Sequence, residues 1–145
     1  MPDIEERPPF PPISASNEES CWGASGLPLV IGVTIAAPAS AHTKGNWVQL
    51  VASTAKRVVA MTLSAHAVGT TQLRFLVDIG VGGAGSEVVV LPNIYVKIGA
   101  SYTRDGQNFG PLLVDIPAGS RIAARCQCAT ASKDFALGVC LQEAE

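Results

Sequence analysis

Two stretches decide how this chain folds: Arg57-Val58-Val59-Ala60-Met61-Thr62-Leu63-Ser64-Ala65-His66 and Arg121-Ile122-Ala123-Ala124-Arg125-Cys126-Gln127-Cys128. In the first, Val59, Met61, Leu63 and Ala65 alternate with Ala60, Thr62 and Ser64. In the second, Ile122, Ala124, Cys126 and Cys128 alternate with Arg121, Ala123, Arg125 and Gln127. Successive side chains on a strand point to opposite faces, so a period of two predicts strands with one face buried. Working outward, short apolar runs separated by Gly, Pro, Ser and Asn predict strands near 28–35, 46–54, 57–66, 72–80, 86–97, 111–116, 120–130 and 134–142. No window carries a capped apolar stripe of helical period. The expectation is an all-β chain, an eight-stranded antiparallel sandwich or jelly-roll-like domain over 27–145, preceded by an extended N-terminal arm over 1–26.

Composition narrows the partners. The chain has 145 residues, 48% hydrophobic and only 15% charged, against roughly 25% charged in an average soluble domain. Much of its surface is therefore small, neutral or apolar, the kind of surface that packs against other subunits. The net charge is −2 and no Lys/Arg cluster occurs. The electrostatic attraction that dominates nucleic-acid affinity is missing, so no nucleic-acid partner is expected.

The charge is unevenly spread. Residues 1–26 hold Asp3, Glu5, Glu6, Glu18 and Glu19 against Arg7, together with Pro2, Pro8, Pro9, Pro11 and Pro12. Such sequence is extended and makes no core alone. It reads either as a solvated tail or as an arm that docks on a neighbouring subunit. The apolar run 27–37, followed by Ala39-Ser40-Ala41, imitates a secretory signal, but acidic, Pro-rich sequence precedes it in place of a basic region. Pro38 also cuts it too short to span a bilayer. A cytoplasmic product with no membrane segment follows as the expectation.

Without an export signal, Cys21, Cys126, Cys128 and Cys140 are expected to be reduced. Cys126 and Cys128 share one strand face, where their side chains diverge too far for a good mutual disulfide. His42 and His66 come from distant segments with no metal-ligand spacing. Small buried hydrophobes are the simplest role for these thiols, and neither metal nor cofactor is expected.

Three patterns resemble catalytic or binding chemistry. Gly80-Val81-Gly82-Gly83-Ala84-Gly85 satisfies G-x-G-x-x-G after a predicted strand, yet Glu87-Val88-Val89-Val90-Leu91-Pro92 follows where a dinucleotide site needs a helix. A hairpin loop is expected instead. Asp78 and Asp115 could pair as acid and base if their strands were neighbours, but both are expected at strand ends bonding local backbone, and no nucleophile motif accompanies them. No enzymatic activity is expected. Trp22, Trp47, Tyr95, Tyr102, Phe109 and Phe135 belong mostly to core or interface. The polar stretch from Ile98 to Asn108, flanked by Tyr95 and Tyr102, is a candidate recognition tip.

Three segments carry a family likeness: Gly45-Asn46-Trp47-Val48-Gln49-Leu50-Val51-Ala52-Ser53-Thr54; Leu76-Val77-Asp78-Ile79-Gly80 with Gly85-Ser86-Glu87-Val88-Val89; and Ile116-Pro117-Ala118-Gly119-Ser120 running through Arg121 to Gln127. In this order, over about residues 44–142, the chain resembles a group of tailed-bacteriophage virion structural proteins. The resemblance implies a virion component made and assembled in the host bacterial cytoplasm. It further implies a homo-oligomer, a trimer as first guess, contacting the major capsid protein or another virion protein. The expected function is a capsid decoration or cement-type protein that stabilises coat-subunit junctions; the alternative is a fibre or baseplate tip that binds a host receptor or glycan. Candidate partner contacts are Arg7, Pro8, Pro9, Phe10, Pro11 and Pro12 in the arm, with Arg121 and Arg125 on one strand face. For all of them a plain solvated surface is the competing account.

Overall fold

The computed structural model describes residues 18–22, 32–67, 73–98 and 107–144. Among them there are nine strands and no helix: β1 (Glu18–Trp22), β2 (Val33–Ala36), β3 (Val48–Val51), β4 (Arg57–Ala67), β5 (Leu73–Val81), β6 (Val88–Ile98), β7 (Gln107–Ile116), β8 (Ile122–Cys128) and β9 (Asp134–Ala144). One sheet runs β1-β9-β4-β7, with β2 also on β9; the other runs β3-β8-β5-β6. Every pairing is antiparallel.

The pairing has a nested order. From β2 onward, first pairs with last (β2 with β9), then β3 with β8, β4 with β7, and β5 with β6 at the centre. Two lateral pairings, β4 with β9 and β5 with β8, join these ladders into sheets. Only the β5–β6 hairpin stays within one sheet; every other connection from β2 to β9 crosses between the two. The core is therefore enclosed by a chain that keeps switching layers.

Alternation places that core as expected. Met61, Leu63 and Ala65 from β4 share one core with Phe75, Val77 and Ile79 from β5, and Phe75 packs at a tilt against Phe135 of β9 with ring centroids 4.7 Å apart. Ile122, Ala124, Cys126 and Cys128 line the same interior. At the start of β4 the alternation breaks. Val58 is fully buried and Val59 is not, because the register shifts between Val58 and Ala60. A bulge inserts one residue and turns the strand by one side-chain position.

Strand bounds shift by one to three residues at several ends, and three differences from expectation are larger. Glu18–Trp22, placed in the arm on composition, is a strand on β9, sharing that edge of β9 with β2. The strand expected at 28–35 is seen over Val33–Ala36, residues 23–31 lying outside the described set. Strand β7 begins at Gln107, four residues before the expected start, and runs through Gly110-Pro111. Proline is tolerated there because β7 ends its sheet and its register with β4 shifts at this step.

Candidate functional site

The polar chemistry of this domain concentrates on the outer face of β3-β8-β5-β6. On β5, Phe75, Val77 and Ile79 point inward, which sends Arg74, Leu76, Asp78 and Gly80 outward. The chain between β2 and β3 lies along β8 in continuation of β3. His42 N–H donates to Cys128 O at 2.9 Å and Gly45 N–H donates to Cys126 O at 2.9 Å. That path carries Lys44 and Trp47 onto the same face.

Asp78 is the hub. Its Oδ1 accepts from Lys44 Nζ at 2.9 Å and from the Asn93 backbone N–H at 2.9 Å; its Oδ2 accepts from Arg125 Nε at 3.0 Å. Burial alone raises the pKa of this carboxyl, but the Asn93 N–H and the two cations outweigh it and hold it below the usual carboxylate value. Lys44 Nζ also reaches Leu76 O at 3.2 Å, and the Arg125 guanidinium lies 4.5 Å from the Trp47 ring centroid. The Trp47 ring covers Gly80 so closely that a Cβ there would stand 2.6 Å from its Cη2.

A second ion pair closes the hairpin end of this face. Arg121 donates from Nη1 to Glu87 Oε1 at 2.7 Å and from Nε to Gln49 Oε1 at 2.9 Å. Glu87 accepts from Gly85 N–H at 2.9 Å, and its side chain is 1% exposed. Burial pushes the Glu87 carboxyl up; Arg121 and the local N–H groups pull it further down, below its ordinary range. The glycine loop is therefore the expected hairpin, with Gly82 at φ 136°, a conformation that favours glycine.

These contacts correct the reading of Arg121 and Arg125 as exposed. Both are partly buried, and both are paired with carboxylates of their own chain. Arg7, Pro8, Pro9, Phe10, Pro11 and Pro12 lie outside the described residues, as do Tyr102 and positions 99–106 of the candidate tip. Asp78 and Asp115 are not brought together. Asp78 sits inside β5 in one sheet; Asp115 is on β7 in the other, exposed and paired with Arg57 at 2.7 Å.

Cysteine chemistry divides by face. Cys126 and Cys128 are free and buried, and burial followed by the neighbouring Cys128 pushes the Cys126 thiol up to about 12. Such a thiol is a poor nucleophile. Cys140, in contrast, is disulfide-bonded, against the expectation of four reduced thiols; the register sets Cys21 directly opposite it.

One contact escaped the sequence reading. Ser64 Oγ lies 3.0 Å from His66 Nε2 and donates to Asn108 Oδ1 at 2.7 Å. Its signal was the spacing of two on β4, which puts both residues on one face. A nucleophile of that kind needs a group orienting the imidazole and a cleft for the acyl group. Among the described residues the His66 ring has no carboxylate partner. No three His, Cys, Asp or Glu side chains among them could hold a metal ion.

Beside the Asp78 hub the outer face opens into a cleft of ≈ 350 Å³ bordered by His42, Arg74, Leu76, Tyr95 and Gln127. No protein-family model matches the chain, and neither a curated protein nor a solved structure matches it.

Proposed function

We propose that the protein is a structural component of a tailed-phage virion, of the capsid decoration or cement type, whose jelly-roll domain assembles with copies of itself over junctions between coat subunits. The jelly-roll reading is supported by the nested order β2-β9-β4-β7 and β3-β8-β5-β6, wrapped from one long hairpin, with β1 added to the first layer as a fifth strand. The phage reading rests on the likeness of residues 44–142 described above.

The observation that carries self-association is the state of the two terminal strands. β6 and β7 end their sheets on one flank, where they touch. Val88 on β6 is 68% exposed and Leu113 on β7 is 83% exposed, with Val89 also at the surface. Monomeric proteins charge, shorten or cover such edges. Pro92 and Pro111 interrupt the N–H rows of these strands, so the contact is made by side chains rather than by strand addition. Many weak copies on a lattice then hold together through avidity.

Light scattering tests this directly. The chain is expected to run as an oligomer, a trimer first, and the double substitution Val88→Glu with Leu113→Glu is expected to give a folded monomer. The arm is tested by removing residues 1–17, which leaves β1 in its sheet. Co-sedimentation with coat particles is expected to be lost while the domain stays folded. A monomer at all concentrations that also fails to sediment with particles overturns the reading.

A further inference from the structure

The cleft on the outer face is built from cross-strand rows. Tyr95, Leu76 and Gln127 stand opposite one another on β6, β5 and β8, and Lys97 stands opposite Arg74 in the next outward-facing row. His42 closes one side, on a segment tied to β8 by the hydrogen bonds of His42 and Gly45. Tyr95 is half exposed although large and aromatic.

Among the described residues this place sets two cations with no carboxylate partner side by side. Lys44, Arg57, Arg121 and Arg125 each bond a carboxylate. Among the described residues the Arg74 and Lys97 side chains bond none, yet the register puts them face to face. Like charges directly opposite on a sheet are destabilising. An anion between them removes that repulsion and gives Arg74 the two-pronged partner its guanidinium suits.

The floor decides what kind of anion fits. From Phe75 onward β5 is paired with β6 on one side and β8 on the other, so this part of the floor has no open strand edge for a peptide backbone. Recognition there falls to side chains: an aromatic ring, the apolar Leu76, an amide at Gln127, an imidazole and Arg74 at the cleft, with Lys97 opposite Arg74 in register. A flat apolar surface beside a few convergent polar groups suits a sugar ring, whose C–H face lies on the aromatic while its hydroxyls meet the amide. We propose that the cleft between β5, β6 and β8 is a subsite for a carboxylate-bearing saccharide, a uronic or sialic acid residue, with Arg74 and Lys97 taking the carboxylate and Tyr95 the ring. This inference does not depend on the place of the protein in a particle.

The test uses the full chain, with calorimetry or NMR titration of tetragalacturonate and of sialyllactose, and maltotetraose as the neutral control. At least one acidic sugar is expected to bind, with maltotetraose bound at least about tenfold more weakly. Arg74→Ala and Tyr95→Ala are each expected to weaken the acidic sugar at least about tenfold while circular dichroism and melting stay as in the parent. Both side chains are at the surface, so folding is preserved. Absence of binding by both acidic sugars at millimolar concentration overturns the proposal. So does equal binding of maltotetraose, or binding that survives Tyr95→Ala. Oligoglutamate binding as tightly as the sugars and ignoring Tyr95→Ala marks the cleft as a peptide-charge site and also overturns it.

Discussion

Asp78 and Arg125 stand opposite each other on β5 and β8, with their side chains joined at 3.0 Å above the sheet and the Arg125 guanidinium stacked on Trp47. One carboxylate thus ties together three segments: β8 through Arg125, the approach to β3 through Lys44, and β6 through the Asn93 N–H. Removing one partner of a desolvated pair costs more than the pair is worth, because the other charge stays where water is scarce. Arg125 retains some solvent contact, which lowers the cost below that of a fully buried pair. Arg125→Ala is expected to destabilise by about 2–4 kcal/mol in urea unfolding, and Arg125→Lys by less, since the charge returns without the stacked plane. A loss below about 0.5 kcal/mol, the scale of an ordinary surface substitution, counts against the hub.

The Trp47 ring and Gly80 form a second coupled pair. A methyl at residue 80 meets the indole at 2.6 Å, so Gly80→Ala forces the ring away from Arg125 or bends β5. Overpacking of this kind costs about 1–3 kcal/mol. In a Trp47→Ala background the obstruction is gone, and the same Gly80→Ala change is expected to be neutral or stabilising. A double-mutant cycle measures the difference; additive losses sink the coupling.

The strands were legible where burial follows strict alternation. β8 reads directly from Ile122, Ala124, Cys126 and Cys128, all inward. β1 was not legible, because Glu18-Glu19-Ser20-Cys21-Trp22 has no apolar alternation and owes its strand state to pairing with β9, far along the chain. The Gly110-Pro111 step inside β7 has the composition of a turn, and it is accommodated by a register shift against β4 in a strand at the sheet end. The site was legible only in part. Arg121 and Arg125 stood out by alternation, but their carboxylates lie 34 and 47 residues away in sequence, so no local spacing announces them. The cleft depends on the register of three strands, which sequence pattern alone leaves open.

The pH dependence of stability follows from the same carboxylates. Asp78 and Glu87 are both held below their ordinary values in the folded chain. A depressed folded pKa means that the unfolded chain takes up protons first as the solution is acidified. Their contribution is then complete above the unfolded value, about 4, and is lost as pH falls through the lower folded values. Unfolding free energy is expected to be flat near neutrality and to decline below about pH 4. Asp78→Asn removes one of these groups, so its curve is expected to fall less steeply over the acid range. A variant curve that parallels the parent there removes Asp78 as a source of acid sensitivity.

The cysteines make a countable prediction. Cys126 and Cys128 are free and buried in the core, and the Cys126 thiol, pushed up to about 12, remains protonated at mildly alkaline pH. Burial is expected to keep both thiols from an aromatic disulfide reagent in the folded protein, and for Cys126 the scarcity of thiolate, the reactive form, adds to this. Cys140 is disulfide-bonded, and Cys21, the one other cysteine in the sequence, is the residue opposite it in register. Denaturation without a reductant should therefore release two reactive thiols, and prior reduction should raise the count to all four cysteines. With Cys21 as the expected partner of Cys140, the crosslink restricts the unfolded chain over a loop that spans most of the sequence, an expected stabilisation on the order of 2–5 kcal/mol. Reduction is accordingly expected to lower the melting temperature without changing the strand content seen by circular dichroism. Four thiols released without a reductant, or an unchanged melting temperature after reduction, would remove the crosslink from the account of stability and leave β1 held by its backbone ladder alone.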